Sequence, residues 1–261
     1  MSVCMQHEKE KSADGQCPFN IILSTGGDDF AVMGMHFKLG LYEHQSAGAL
    51  EGLIQLLMKH PEIAKEGIDA IDKIEIAAYE PAFGIIGDPA KRDPRTRQSA
   101  DHSMVYIVST MLRKAMEKGG VPAHGDDTWC ELMLSPYDYG KEAIANTQTR
   151  KLMEKIEFVH GGKEYDDKYP EGIPTSIDIF TKKGAKCSSG FVMFPSGHAR
   201  NTTCDLKKIL AYKNKMLGTI SLPEAEVAPF VAKLDDLKSA SGKDLDTVYD
   251  LKGLIERDPV D

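Results

Sequence analysis

Lys38 and His44 lie six residues apart in the stretch FKLGLYEH, and an apolar helical pattern begins immediately after them. A lysine and a histidine where an extended run meets a helix can hold a carboxylate and move a proton, since sites in α/β folds lie at strand ends and helix starts. From spacing alone the plainer reading, a surface lysine and a histidine that merely caps a helix, is the stronger.

A second constellation is DPAKRDPRTRQSADHSMVY, Asp88 to Tyr106. Lys91, Arg92, Arg95 and Arg97 face only Asp88 and Asp93 before a helix starts, which makes a positive patch in an acidic chain. The helix N-terminus adds partial positive charge, so His102, Ser103 and the first free amides form a candidate anion site, with Tyr106 one turn further on. The competing reading is a solvated charged loop ahead of an ordinary capped helix. YPEGIPTS (169–176) and FPSGHARN (194–201) place Pro and Gly beside strands, and turn chemistry accounts for both better than catalysis does. Trp129 and the methionines read as core.

The elements that must position these residues follow from periodicity. An extended run around Phe30 to Leu39 leads into a helix from about His44 to His60, where Leu50, Leu53, Ile54 and Leu57 share a face and Pro61 supplies the stop. Ile71 to Tyr79 alternates as a half-buried strand. A helix is expected from an N-cap at Asp101, with Met104, Val108, Met111 and Ala115 inward, ending at Gly119-Gly120. Ala143 to Met153 reads as a weaker helix and Lys155 to Val159 as a strand. Thr175–Phe180 and Gly190–Phe194 read as a strand pair joined by the polar TKKGAKCSS. Beyond Asn201 the pattern is helical and charged, with Leu206–Leu217 one helix and a second around Val227–Leu234 that Pro229 should break or restart. The apolar faces of this tail need something to pack against.

Composition narrows the function. A chain of 261 residues, 41% apolar, can build a real core. A formal charge of -8 argues against a general nucleic-acid binder. No apolar run is long enough to span a bilayer, and MSVCMQHEKEKSADGQ has the character of neither a signal nor a transit peptide. Five cysteines without a C-x-x-C pair suit free thiols in a reducing compartment, and without zinc-ligand spacing no structural metal is expected. Phosphate-loop, dinucleotide, nucleophile-elbow and H-E-x-x-H motifs are absent.

FAVMGMHFKLGLYEHQSAGALEGLI, RQSADHSMVYIVSTML, KYPEGIPTSIDI and FPSGHARN occur in that order and together resemble the C-terminal part of the MmgE/PrpD family of 2-methylcitrate dehydratases, the first segment being most similar to the fungal mitochondrial enzymes. The resemblance runs from about Pro18 to the end. It implies an α+β fold: a disordered lead-in at 1–17, a small α/β domain of helices on a mixed sheet at 18–202, and a helical tail at 203–261 that would pack on an N-terminal all-helical domain missing here. It further implies a cofactor-free hydro-lyase that converts 2-methylcitrate to 2-methyl-cis-aconitate and water in the methylcitrate cycle of propionate catabolism. A related member decarboxylates cis-aconitate.

By this resemblance Lys38 and His44 are the catalytic residues that the small domain contributes, while His102, Ser103 and Tyr106 contact the tricarboxylate and no metal is bound. This chain carries LGLYEH where relatives carry a stretch like YPAEFH. Homodimers are typical of the family, and a mitochondrial location is implied although a targeting peptide is absent; otherwise the chain would be cytoplasmic. Lacking the helical domain, it is expected to be a fragment with half a site, inactive alone. The alternative is a non-catalytic subunit that docks on a helical partner or paralogue, with neither nucleic acid nor membrane involved.

Overall fold

The alternation of Ile74, Ile76 and Ala78 becomes β1 (Ile71–Ala78), the middle of a four-stranded mixed sheet in the computed structural model, which describes residues 34–235, 237, 239–248 and 250. The expectations for the lead-in at 1–17, Cys4, Cys17 and the start of the extended run from Phe30 lie outside the described residues. The compact unit described here starts at Phe37.

Sheet order is β2 (Ile156–His160), β1, β3 (Thr175–Thr181), β4 (Lys186–Ser188). β1 pairs with β2 in parallel and with β3 antiparallel, in a register that sets Ile74 opposite Ile179 and Ile76 opposite Ile177. Those four isoleucines are fully buried. The other face is polar: Lys73 pairs with Glu75 and Glu157, and Lys186 with Asp178. One face buried and one solvated is the usual state of a largely antiparallel sheet.

The buried face is covered by α1 (Ala47–Lys59), ten of whose thirteen residues are buried. The small residues on its sheet side decide how close it comes. A side chain on Gly48 would collide with Thr175 Oγ1 and come 2.7 Å from the Ile173 carbonyl, so α1 lies directly on β3. α2 (Glu62–Glu66) follows Pro61. Against α1 pack α4 (Met104–Lys118), preceded by the short α3 (Arg97–Asp101), and α5 (Gly125–Leu132); α6 (Lys141–Ile144) is a single turn, α7 (Thr147–Glu154) packs on α4, and α8 (Lys163–Asp166) follows β2. Met104, Val108, Met111 and Ala115 of α4 point inward, and Gly119 closes it in the left-handed conformation (φ 69°). The tail forms α9 (Leu206–Ser221), α10 (Glu224–Asp235) and α11 (Gly242–Val248). No described helix is long and apolar enough to cross a membrane. Helices packed on a mixed sheet are the α+β class that the sequence implied.

Several local expectations are corrected. Gly34 to Leu39 forms no regular strand. The N-cap of α4 is Ser103 rather than Asp101, because Thr96 and Ser99 close a capping box of their own and Asp101 ends that separate turn. The helix expected over 143–153 is broken at Asn146, whose side chain caps α7 by accepting from the amides of Gln148 and Thr149. The second hairpin strand is not Gly190–Phe194 but Lys186–Ser188, inside the segment read as a connection. Gly184 (φ 84°) makes the reversal so tight that pairing resumes at once, and Val192 keeps only one isolated bridge, to Thr175. Pro229 does not break α10; it sits in the second turn, where its missing N–H costs one bond and the helix continues to Asp235.

The contact of α1 with β3 is open to test. Gly48→Ala should destabilise the protein by about 1–3 kcal/mol through overpacking against backbone and Thr175, read as a lowered urea midpoint with an unchanged slope. A neutral result would mean that α1 can back away from the sheet.

Candidate active site

The Lys38–His44 loop is tied down along its length, chiefly by backbone groups. The Phe37 amide donates to the Gly197 carbonyl at 2.8 Å, Leu41 N to Leu134 O at 2.9 Å and Glu43 N to Asp101 O at 2.9 Å. Leu39 N donates to the Tyr42 hydroxyl at 2.9 Å, and the Tyr139 hydroxyl donates to the Leu41 carbonyl. Gly40 sits between Lys38 and His44 for a steric reason: an added Cβ would lie 3.2 Å from Leu134 O and from Met133 Cγ. Leu39 and Gly40 are buried while Lys38 and His44 are exposed. The loop thus inserts its middle and presents its two titratable ends.

His44 does not cap the helix entrance. Glu43 does, its carboxylate accepting from Gln45 N at 2.7 Å and from the Ser46 hydroxyl. Burial raises the Glu43 pKa, and these same hydrogen bonds act against that rise. With capping assigned to Glu43, the His44 ring stays at the surface.

FPSGHARN proves to be the seat of the loop. His198 N donates to Pro195 O at 2.9 Å, which makes a turn, and Gly197 takes φ 87°. A Cβ there would strike the Phe37 carbonyl, so only glycine admits both the turn and the approach of Phe37 and Lys38. The turn is held from below by Glu51 of α1, which accepts from Ser196 N at 3.0 Å and from Trp129 Nε1 at 2.9 Å. Arg200 pairs with Glu171, joining FPSGHARN to YPEGIPTS.

Sequence reasoning missed Lys213. It lies one turn beyond the fully buried Ile209 on α9, and its Nζ donates to the Lys38 carbonyl at 2.5 Å. Burial lowers the Lys213 pKa, and the Lys38 charge lowers it further. The hydrogen bond ties α9 to the backbone of the loop and leaves a partly buried ammonium against it. The available signal was a lysine four residues after an isoleucine, on the buried face of an amphipathic helix. α9 is anchored for this task on α5: Asp205 N donates to Asp126 at 3.2 Å, and Lys208 pairs with Asp127 at 2.5 Å.

The Asp88–Tyr106 constellation divides. Ser103 is buried; its hydroxyl donates to Lys91 O at 2.6 Å and accepts from Tyr106 N at 3.4 Å. Tyr106 is fully buried, donates to Asp138 O at 2.5 Å, and has its pKa raised mainly by that burial. Both therefore serve the core. Arg95 and Arg150 share Asp93, while Arg92 donates to Ile156 O and lies over Phe158, so little of the positive patch stays uncommitted. His102 remains exposed. Its Nδ1 faces the Gln98 carbonyl at 3.0 Å and the Asp101 carboxylate, both acceptors, so Nδ1 is the nitrogen that donates to them. The bond from Glu43 N to Asp101 O sets His44 and His102 each one residue from a common backbone contact. The structure thus brings the Lys213 ammonium to the backbone of Lys38, and the segment of His44 against that of His102, while Ser103 and Tyr106 face inward.

Two outcomes follow from this geometry. Gly197→Ala should release the Phe37 amide, seen as loss of its hydrogen-exchange protection, and lower stability by about 1–3 kcal/mol through strain; retained protection would contradict the seating role. Because burial lowers its folded pKa, Lys213 should hold a larger neutral fraction than the surface lysines at a given alkaline pH, and should acylate faster than they do. A polycarboxylate should suppress that reaction, since a bound anion favours the ammonium form; a Lys213 rate equal to that of the surface lysines would count against the paired site.

Comparison with known proteins places this geometry in a family context. Residues 42–117 match the model of the MmgE/PrpD C-terminal domain. The match includes His44, His102, Ser103 and Tyr106, and it spans less than a third of the chain. A search of curated proteins found no match.

Proposed function

We propose, from the MmgE/PrpD match as premise, that this chain supplies the small-domain wall of a hydro-lyase site acting on a tricarboxylate of the 2-methylcitrate type. The match supports a lyase of dehydratase type at the level of the family. The observation that carries the finer reading is the Lys213 ammonium held against the loop that bears Lys38 and His44.

Removing water beside a carboxylate needs cations to hold the carboxylates, a base for the α-proton and an acid for the departing hydroxyl. In this reading Lys38 and Lys213 hold carboxylates, and the Nε2 of His102, oriented by Asp101, takes the α-proton. His44 then protonates the leaving hydroxyl. Tyr106 is withdrawn from substrate contact, since its hydroxyl is already committed to Asp138 O. The opposite wall belongs to an all-helical domain, contributed by whichever chain carries it. The second reading, a docking subunit without turnover, is favoured by the apolar side chains that the tail exposes, among them Tyr212, Leu234 and Leu245.

Calorimetry with 2-methylcitrate, citrate and cis-aconitate tests the binding step on the chain itself. Binding is expected for a tricarboxylate, weakened at least about tenfold by Lys38→Ala or Lys213→Ala, each charge-assisted bond contributing roughly 1.5–3 kcal/mol. In a complex with the helical domain, dehydration should fall by about 10²-fold or more in Lys38→Ala. Turnover that survives both lysine substitutions would remove the pair from the site. A complex that forms but binds no polycarboxylate would favour the docking reading.

A further inference from the structure

We propose that His60, Glu62 and Cys187 form a binding site for one divalent transition-metal ion of the zinc class. The three ligand atoms, from an imidazole, a carboxylate and a thiol, all lie within 4.8 Å of one another. Two come from one corner of the chain and the third from a distant strand. His60 ends α1, Pro61 turns the backbone, and Glu62 opens α2, which leaves His60 Nδ1 and Glu62 Oε1 3.1 Å apart. Cys187 is the inward residue of the edge strand β4, paired opposite Ile179.

The dimensions suit a tetrahedral ion. Bonds of about 2.0–2.3 Å to N, O and S place neighbouring ligand atoms roughly 3.3–3.8 Å apart, so side-chain rotations of about 1 Å would close the present triangle. Water can take the fourth position, because the His60 and Glu62 side chains are 34% and 53% exposed. A mixed imidazole, thiolate and carboxylate set selects a borderline ion such as zinc over magnesium or calcium, which take oxygen ligands.

Without an ion, His60 with Glu62 is a surface pair of little energetic value. Burial and the Glu62 charge both push the Cys187 thiol upward, and a bound cation would reverse both effects by stabilising the thiolate. The nearby cations Lys59 and Lys65 oppose the ion, although Lys59 Nζ is directed to the Ser189 carbonyl at 3.3 Å. Ligand spacing along the sequence could not reveal this set, since 125 residues separate Glu62 from Cys187. Its effect would be to pin the α1–α2 corner to a three-residue edge strand, on the far side of the fold's covering helix from the loop seat.

The test uses the full chain stripped of metal and titrated with cobalt(II), then zinc(II). One cobalt ion per chain should bind with a thiolate-to-cobalt charge-transfer band, which zinc then bleaches, and zinc should slow alkylation of Cys187, located by mass spectrometry, by about tenfold or more. Cys187→Ser should abolish the band. Glu62→Gln, at an exposed position that leaves folding intact, should weaken cobalt binding at least about tenfold. No band in the unaltered chain, a band that persists in Cys187→Ser, or unchanged affinity in Glu62→Gln would each overturn the site.

Discussion

The arrangement turns on one buried carboxylate. Glu51 is 8% exposed in the middle of α1, and it reaches its low-energy state only when N–H donors surround it. Trp129 supplies one from α5, Ser196 a second from the FPSGHARN turn, and Gln55 a third from the next turn of α1 at 3.1 Å. Charge-assisted bonds of this kind contribute roughly 1.5–3 kcal/mol each, which offsets desolvation of the charge only when all are made together. The helix that covers the sheet, the helix that carries the tail and the turn that seats the Lys38 loop are therefore fixed relative to one another by a single side chain.

From that point the order of construction is one of backbone contacts. Ser196 places Gly197, Gly197 receives Phe37, and Phe37 sets Lys38 where the Lys213 ammonium finds its carbonyl. At the other end of the loop, Glu43 reaches the corner between α3 and α4 and brings the His44 segment to the Asp101–His102 pair. Beyond Glu51, the links that position the loop are chiefly backbone groups, which costs little in ordering long flexible side chains. It also explains the density of glycine in the loop and its seat: Gly40 and Gly197 lie where a Cβ would meet backbone or a packed methionine.

What the sequence made legible was whatever repeats. Ile74, Ile76 and Ala78 alternate, Leu50, Leu53, Ile54 and Leu57 follow helical spacing, and those elements fall where periodicity puts them. β4 escaped because a three-residue strand with one inward side chain, Cys187, has no period to detect. The break between α3 and α4 escaped because two N-caps, Thr96 with its capping box and Ser103, stand seven residues apart, and either could have started one longer helix. Lys38 and His44 could be named from a resemblance, but the Lys213 partnership is a tertiary fact between residues 175 apart. Ser103 and Tyr106 show the converse: polar residues near a helix start invite a site reading, yet here their hydrogen bonds satisfy buried backbone carbonyls.

The net charge of -8 sharpens the meaning of the lysine pair. Screening confines exposed charges to about 8–10 Å at physiological ionic strength, so the acidic surface neither repels nor steers an anion that has reached Lys38. Local geometry decides. Burying part of the Lys213 ammonium is unfavourable, and the hydrogen bond to the Lys38 carbonyl offsets part of that cost. The helix accepts that strain because Ile209 is buried and because Lys208 and Asp205 engage the acidic first turn of α5. The Lys213 ammonium thus closes the chain of contacts that runs from Glu51 through Gly197 and Phe37 to the Lys38 carbonyl, and joins α9 to the loop.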